Sequence, residues 1–325
     1  MQKQLITWQL INDSLQQHVP VMLLYVLQSN GSSPGRAGFV MAVNAAGAME
    51  GSIGGGIMEH KFTAMAREQL QQSTTNITIR QQVHDKQAAK DQSGMICSGD
   101  QTILLYPVKA ADAAAVQEII ACLQNHRHGV LQLSPQGLQF EATDLAGEDY
   151  YFTQLSATDW RYRGRIGYRD HLFIIGGGHC ALALSELMQR LDFYVHVYDD
   201  RPELHTLLQN DYAHEKHVVS DYRELAALIP SGSRHYVVIM TFGYRTDDVA
   251  IRALLDKRFR YLGVLGSKSK IARMFEGYMD EGIPASFLSR VHAPVGLAIN
   301  SHTPEEIAVS IAAEMIGVRN GHVAG

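Results

Sequence analysis

Three glycine-rich turns and a strand-end pair of acids carry most of the chemistry this sequence offers. Gly176 and Gly178, with Ala181 three residues on, match G-x-G-x-x-G/A directly after the apolar run His171–Ile175. The first glycine permits a tight turn and the second lets a phosphate approach the backbone. The small third residue lets the following helix lie close on a sheet. That helix start offers unpaired N–H groups to an anion, and His179 stands at its entrance. Asp199 and Asp200 end the next apolar run, where a carboxylate binds a ribose diol. Gly266 and Ser267 repeat the strand–turn–helix physics, with Ser267 as expected N-cap and Lys268 and Lys270 adding positive charge. Between these turns, Tyr244, Arg245 and Asp247 stand at another strand end. The same glycines also serve plain packing, and the lysines plain solvation, so the pattern alone leaves ligand binding and structure both open.

The first half carries a second group. Two glycine-rich turns, "GSSPGRAGF" and "EGSIGGGIMEH", flank a short hairpin. Arg36 supplies a forked cationic donor. Gly54, Gly55 and Gly56 could present consecutive backbone N–H groups to an anion or a pterin-like heterocycle. Glu59, just inside the next helix, would cap N–H groups or touch a ligand. Cys97 sits among small residues in "GMICSG", an expected loop. Free cysteines are commonly buried and inert.

The elements that must hold these residues follow from periodicity. A helix is expected over Lys3–Gln16, strands at "VMLLYVLQ", "GFVMAVN" and "GAMEGSI", and a helix over Ile57–Gln71. "NITIRQQV" and "TILLYPV" read as further strands, Ala111–Gln124 as a helix, and Pro135–Gly137 as a hairpin turn. This mixture predicts an α/β domain without a repeated βαβ unit. "DWRYRGRIGYRD", with Arg161, Arg163, Arg165 and Arg169, reads as an exposed basic connector, and the boundary is placed at 165/166. From His171 the rhythm becomes strand–helix–strand. Strands are expected at His171–Ile175, Phe193–Tyr198, His217–Val219, His235–Met240 and Tyr261–Leu265. Near-continuous apolar runs between helices mark parallel strands buried on both faces, so residues 166–325 are expected to form a Rossmann-like domain. The last helix is signalled by Thr303 as N-cap, Pro304 at N1 and Glu306 at N3.

The 325 residues suit two domains of ordinary size, and 46% hydrophobic with 19% charged residues is ordinary for globular cores. A net charge of −5 argues against nucleic acid as a partner. Three cysteines make no disulfide scaffold. The first residues lack the apolar centre of a signal peptide, and no stretch reaches the ~18 apolar residues of a membrane span. A cytoplasmic protein with no membrane partner is expected. None of the fifteen histidines falls in HExxH or a comparable metal spacing.

Taken together, "GSIGGG…E", "FIIGGGHCALAL", "VYDDRPE", "YLGVLGSKSK" and "HAPVGLAINSHTPEEIAVSIAAEMIGVR" resemble the xanthine dehydrogenase accessory factor family, the XdhC/CoxI proteins. The resemblance runs from about Pro20 to Arg319. It implies an N-terminal XdhC/CoxI domain, a Rossmann-like C-terminal domain and a homodimer. It also implies a non-catalytic maturation factor that binds molybdenum cofactor, protects it during sulfuration by a cysteine desulfurase and assists its insertion into a molybdenum hydroxylase apoenzyme. The family's glycine-serine-proline-arginine pattern corresponds to Gly31-Ser32-Ser33-Pro34-Gly35-Arg36, with one residue between proline and arginine. Its triple glycine and acid correspond to Gly54–Gly56 and Glu59, and its glycine-histidine segment to Gly178-His179. Its strand-end acids and arginine are Asp199, Asp200 and Arg201. Where the family has a cysteine followed by two glycines, this chain has Cys97-Ser98-Gly99. Where many relatives have Thr-Arg-Gly-His, it has Thr241, Phe242, Gly243 and Tyr244.

Two other functions fit parts of the pattern. The fingerprint at Gly176 and the acids at Asp199 and Asp200 suit an NAD(P)-dependent oxidoreductase, but no proton donor can be assembled opposite a nicotinamide. The basic segment and an expected dimer suit a nucleotide-responsive scaffold protein. Molybdopterin and its dinucleotide forms are not distinguished. If both glycine-rich groups serve one ligand, they are expected to meet within a chain or across a dimer.

Overall fold

Strand β1 shows how the alternation of side chains builds the first half of the protein. Met22, Leu24 and Val26 face one way, Leu23, Tyr25 and Leu27 the other, and all six are buried. A strand buried on both faces needs a layer on each side. The computed structural model describes residues 2–72, 76–83, 99–143 and 149–321. The chain divides into two compact units, Met1–Gly167 and Tyr168–Gly325.

The first unit opens with α1 (Gln2–Gln16), β1 (Val21–Gly31), β2 (Val40–Asn44), β3 (Met49–Gly51) and α2 (Gly56–Gln71). It continues with β4 (Thr78–Val83), β5 (Gly99–Pro107) and, after a short 3₁₀ turn, α3 (Ala113–Gln124). β6 (His128–Ser134), β7 (Gly137–Glu141), β8 (Tyr150–Gln154) and β9 (Trp160–Gly167) complete it. A five-stranded sheet has the order β3-β2-β1-β5-β4, with every pairing antiparallel. Leu23, Tyr25 and Leu27 share a core with Trp8 and Ile11 of α1, Ile119 and Leu123 of α3, and Trp160 and Tyr162 of β9. Met22, Leu24 and Val26 share the opposite core with Met58, Phe62 and Ala66 of α2.

The basic segment around Trp160 is not a connector. It is β9, an inner strand of a second antiparallel sheet of order β7-β6-β9-β8. Trp160, Tyr162, Gly164 and Ile166 alternate with Arg161, Arg163 and Arg165, and the former set is buried. That is the period-2 pattern of a half-buried strand; its arginines obscured it. Even Arg165 is 6% exposed, with Nε 3.9 Å from Asp149.

The second unit begins with β10 (Asp170–Ile175), α4 (His179–Arg190), β11 (Phe193–Asp199), α5 (His205–Leu208), β12 (Glu215–Val218) and α6 (Leu225–Leu228). β13 (Gly232–Ile239), α7 (Tyr244–Ala253), β14 (Phe259–Val264), α8 (Lys268–Asp280), α9 (Ala285–Leu288), β15 (Val291–His292) and α10 (Pro304–Arg319) follow. Its sheet has the order β12-β11-β10-β13-β14-β15 and is parallel throughout. Counted within the unit this is 3-2-1-4-5-6, the doubly wound dinucleotide-binding order. Leu172 and Ile174 pack with Leu184 and Met188 of α4 and Ile311 and Met315 of α10. Phe173 and Ile175 pack on the other face with Ile251 of α7 and Met274 of α8. Thr303 accepts from Glu306 N (3.2 Å) while the Glu306 carboxylate accepts from Thr303 N (3.1 Å), the expected capping box. No described helix is long and apolar enough to cross a membrane.

Candidate functional site

The strand order of the second unit reverses between β10 and β13, so the loops after these strands diverge and leave a crevice at their carboxyl ends. Gly176 leaves β10 with φ +109°, and a Cβ there would lie 2.4 Å from the Met240 carbonyl oxygen after β13. Only glycine fits both the left-handed backbone and the close approach. Gly177 is clamped: its N–H donates to Asp199 Oδ2 (2.6 Å) and its carbonyl accepts from Thr206 Oγ1 (2.6 Å). Gly178 is the N-cap of α4, and a Cβ built on it would meet nothing within 4 Å. The first helical turn, with exposed His179 as its first residue, therefore lies open to a ligand, and its orphan N–H groups and positive dipole end favour an anion.

Asp199 is fully buried and its carboxylate is turned inward. Besides Gly177 N–H, it accepts from Arg201 N (2.9 Å), Nε (2.8 Å) and Nη2 (2.8 Å). Burial pulls its pKa up, but these donors outweigh burial and hold the carboxyl below its ordinary value. Asp199 thus positions the glycine turn. Asp200 points elsewhere: it is exposed, accepts from the Tyr222 hydroxyl (3.3 Å) and lies 3.8 Å from Arg201 Nε.

The loops after β13 and β14 are tied together by an ion pair between a buried carboxylate and a half-buried lysine. Asp247, in the first turn of α7, accepts from Thr241 N (3.0 Å) and Thr241 Oγ1 (2.6 Å) and pairs with Lys270 of α8. Ser267 caps α8 by accepting from Lys270 N (3.2 Å), and Gly266 precedes it with Lys270 methylenes packed against it. Lys270 and Asp247 are consumed structurally, whereas Arg245 and Lys268 are exposed cations at the starts of α7 and α8. Phe242 is 88% exposed, with the Arg201 guanidinium 5.7 Å from its ring centre. An exposed aromatic beside cations offers a stacking surface for a flat heterocycle.

In the first unit the two glycine turns touch through backbone. A Cβ on Gly35 would lie 2.1 Å from the Ile53 carbonyl oxygen, and one on Gly54 would lie 2.4 Å from Gly35 N. Buried Gln101 of β5 donates to Gly35 O (2.9 Å) and Ile53 O (3.4 Å), bracing both turns. Glu59 Oε1 accepts from Ile53 N (3.1 Å), Gly55 N (2.9 Å) and the Ser52 hydroxyl, so its carboxylate shapes the loop that leads into α2. Arg36 is exposed and donates to Gly31 O (2.9 Å). Gly54, Gly55 and Gly56 have φ of +122°, +87° and +61°, and a side chain at either of the last two would meet nothing nearby. Cys97 lies outside the described residues; Gly99, two positions later, pairs with Gly31.

The expected site residues thus form two groups. Gly176, Gly178, His179, Asp199, Asp200, Arg245, Gly266, Ser267 and Lys268 gather at the carboxyl ends of β10, β11, β13 and β14. Arg36, Gly54, Gly55, Gly56 and Glu59 gather where the two turns meet. Sequence reasoning missed Gln101, Thr206 and the Thr241–Asp247 clasp. A glutamine in an apolar strand was the available signal for the first. Phe242, a bulky apolar residue just before a glycine in a strand-end loop, was the signal for the stacking surface.

A first unit of antiparallel sheets with paired glycine turns, followed in the chain by a doubly wound second unit with an open glycine turn, defines a two-domain α/β protein with a Rossmann-like second half. Residues 172–315 match the XdhC Rossmann domain and residues 14–81 match the XdhC and CoxI family. The chain belongs to the XdhC/CoxI family. It is 24% identical over 311 residues to YqeB of Escherichia coli, an uncharacterized protein, spanning 95% of this chain and 46% of the relative. It is 30% identical over 155 residues to a Bacillus subtilis protein described as a probable xanthine dehydrogenase subunit, spanning 48% of this chain and 44% of the relative. The chain thus spans about half the length of the curated relatives it matches. A crystal structure of a Bacillus halodurans protein described as a xanthine dehydrogenase shares the fold, with a TM-score of 0.71 and 22% identity. That match covers 98% of this chain and 97% of the other.

Proposed function

We propose that this protein is an accessory factor that binds molybdenum cofactor and assists its sulfuration and insertion into a xanthine dehydrogenase or aldehyde oxidase-type apoenzyme. The observation that carries the reading is the open turn at Gly178–His179 in a chain whose two units both match one family. Molybdopterin carries a phosphate, a pterin and a metal-binding dithiolene. The start of α4, with Arg245 and Lys268 as exposed cations, suits the phosphate. Phe242 suits stacking against the pterin or, in a dinucleotide form, a base. The glycine turns at Gly35 and Gly54, with Arg36, form a second surface suited to an anion. Cys97 is assigned to the sulfur-bearing end of the cofactor. A cysteine desulfurase and the client apoenzyme are the partners this role requires, with a second copy of the chain as a further one.

The inward turn of Asp199 favours this reading over an NAD(P)-dependent oxidoreductase. Asp199, one of the two carboxylates at the ribose position, is already saturated by Gly177 and Arg201, which leaves Asp200 alone there. The deciding experiment titrates the purified chain with molybdenum cofactor, NAD and NADP in parallel. Retention of the pterin, and loss of the sulfurated form in Cys97→Ser, are the expected results. Tight NAD or NADP binding with no pterin retention overturns the proposal.

A further inference from the structure

On the outer edge of the parallel sheet, three metal-ligating side chains from neighbouring strands meet. β11 and β12 run parallel with His196 opposite Glu215 and Tyr198 opposite His217. Residues two apart on a strand share a face, so Glu215 and His217 stand on the same side as His196. Glu215 Oε2 is 3.3 Å from His196 Nδ1 and 3.0 Å from His217 Nε2. One ligand atom from each residue lies within 4.8 Å of both others.

The second observation concerns His196 itself. It is 8% exposed, and its buried Nδ1 makes no well-formed hydrogen bond, its near contact being Glu215 Oε2 at 3.3 Å. A buried nitrogen without a well-formed hydrogen bond is costly. The contact between His217 and Glu215 does not satisfy that nitrogen, whereas a cation held by all three side chains would satisfy it. The supporting contacts are also in place. His196 Nε2 lies 3.1 Å from His171 Nδ1, which fixes the ring and leaves Nδ1 as the ligand atom. The Tyr194 hydroxyl donates to Glu215 Oε1 (2.9 Å), which leaves Oε2 as the ligand oxygen. Such outer hydrogen bonds are what orient metal ligands.

We propose that His196, Glu215 and His217 bind one divalent transition cation of the zinc class, leaving a fourth coordination position open. Two imidazoles and one carboxylate are ligands for Zn²⁺ and its neighbours, whereas Mg²⁺ and Ca²⁺ take oxygen ligands. Metal–ligand bonds of about 2.0–2.1 Å in a tetrahedral set place ligand atoms roughly 3.3 Å apart. The two measured separations match that spacing, so small side-chain adjustments complete the set. None of the three ligands belongs to the crevice residues at Gly176–Gly178, and the site rests on none of the cofactor reading above.

The test uses the full chain stripped of metal, titrated calorimetrically with Zn²⁺ and optically with Co²⁺. One saturable equivalent is expected, with Co²⁺ giving the visible absorption of a tetrahedral nitrogen–oxygen site and no thiolate charge-transfer band. Glu215→Gln and His217→Ala, both at partly exposed positions, should each weaken binding by at least about 100-fold. His171→Ala should weaken it by about 10–100-fold, as loss of an orienting hydrogen bond does. His60→Ala, an exposed histidine of the other unit, should change nothing. Circular dichroism establishes that each variant is folded; if one is not, the wild-type Co²⁺ spectrum decides. Absence of a saturable equivalent, survival of full affinity in both ligand variants, a thiolate band, or equal competition by Mg²⁺ each overturns the site.

Discussion

Replacing Asp199 with alanine removes an acceptor on which the glycine turn depends. Its buried carboxylate takes four hydrogen bonds, one from Gly177 and three from Arg201, all between 2.6 and 2.9 Å. Breaking a buried charge pair from one side costs about 3–5 kcal/mol. The Arg201 side chain is 39% exposed and recovers solvation when freed, which discounts the loss. Gly177 N–H is buried and recovers nothing, at about 1–3 kcal/mol. A destabilisation of about 2–3 kcal/mol follows for the second unit, or a fall of about 5–10 °C in its melting temperature. Asp199→Asn keeps the volume but turns an amide against the Arg201 donors, so it should recover less than half. The acid dependence has a definite sign. The folded pKa of Asp199 is depressed, so its contribution is fully present above the unfolded value of about 3.9 and fades as pH falls through the folded one. The gap between wild type and Asp199→Ala should therefore close below about pH 4. Far-ultraviolet circular dichroism follows the loss. Both tryptophans, Trp8 and Trp160, lie in the first unit and report it separately by fluorescence. A loss under about 1 kcal/mol at neutral pH, or one that grows on acidification, would refute the positioning role.

Gly176→Ala places a Cβ against the Met240 carbonyl at φ +109° and should cost at least about 2 kcal/mol in denaturant unfolding; a change within error contradicts the close approach. Glu59→Ala frees Ile53 N, Gly55 N and the Ser52 hydroxyl, so a stability loss of about 1–2 kcal/mol is expected. Faster hydrogen exchange at Ile53 and Gly55 should accompany it, and Glu59→Gln should restore part of the protection. Arg245→Ala and Lys268→Ala, at exposed positions, should leave unfolding midpoints unchanged yet each weaken molybdopterin binding by about 3–10-fold, less at high salt. Calorimetry at two ionic strengths checks both.

Local rules made much of the protein legible before any coordinates. The near-continuous apolar runs of β10, β11, β13 and β14 require burial on both faces, and that, with helices between them, implies a parallel sheet. Thr303, Pro304 and Glu306 start α10 by capping chemistry contained within four residues. Gly176 marks a turn because its left-handed backbone is a local demand for glycine, although the Met240 carbonyl that also excludes a Cβ there comes from another strand. Pairing across the chain was not legible. The arginines of β9 read as solvated until their strand was seated between β6 and β8, since a period-2 face is meaningful only against the layer that covers it. The inward turn of Asp199, the bracing of two turns by Gln101 and the Asp247–Lys270 clasp join residues 22, 66 and 23 positions apart. His196 and Glu215 likewise meet only because β11 and β12 pair in register. Hydrophobic period and capping are written in neighbouring residues, whereas the partner of a buried polar group is chosen by which strands the core brings side by side.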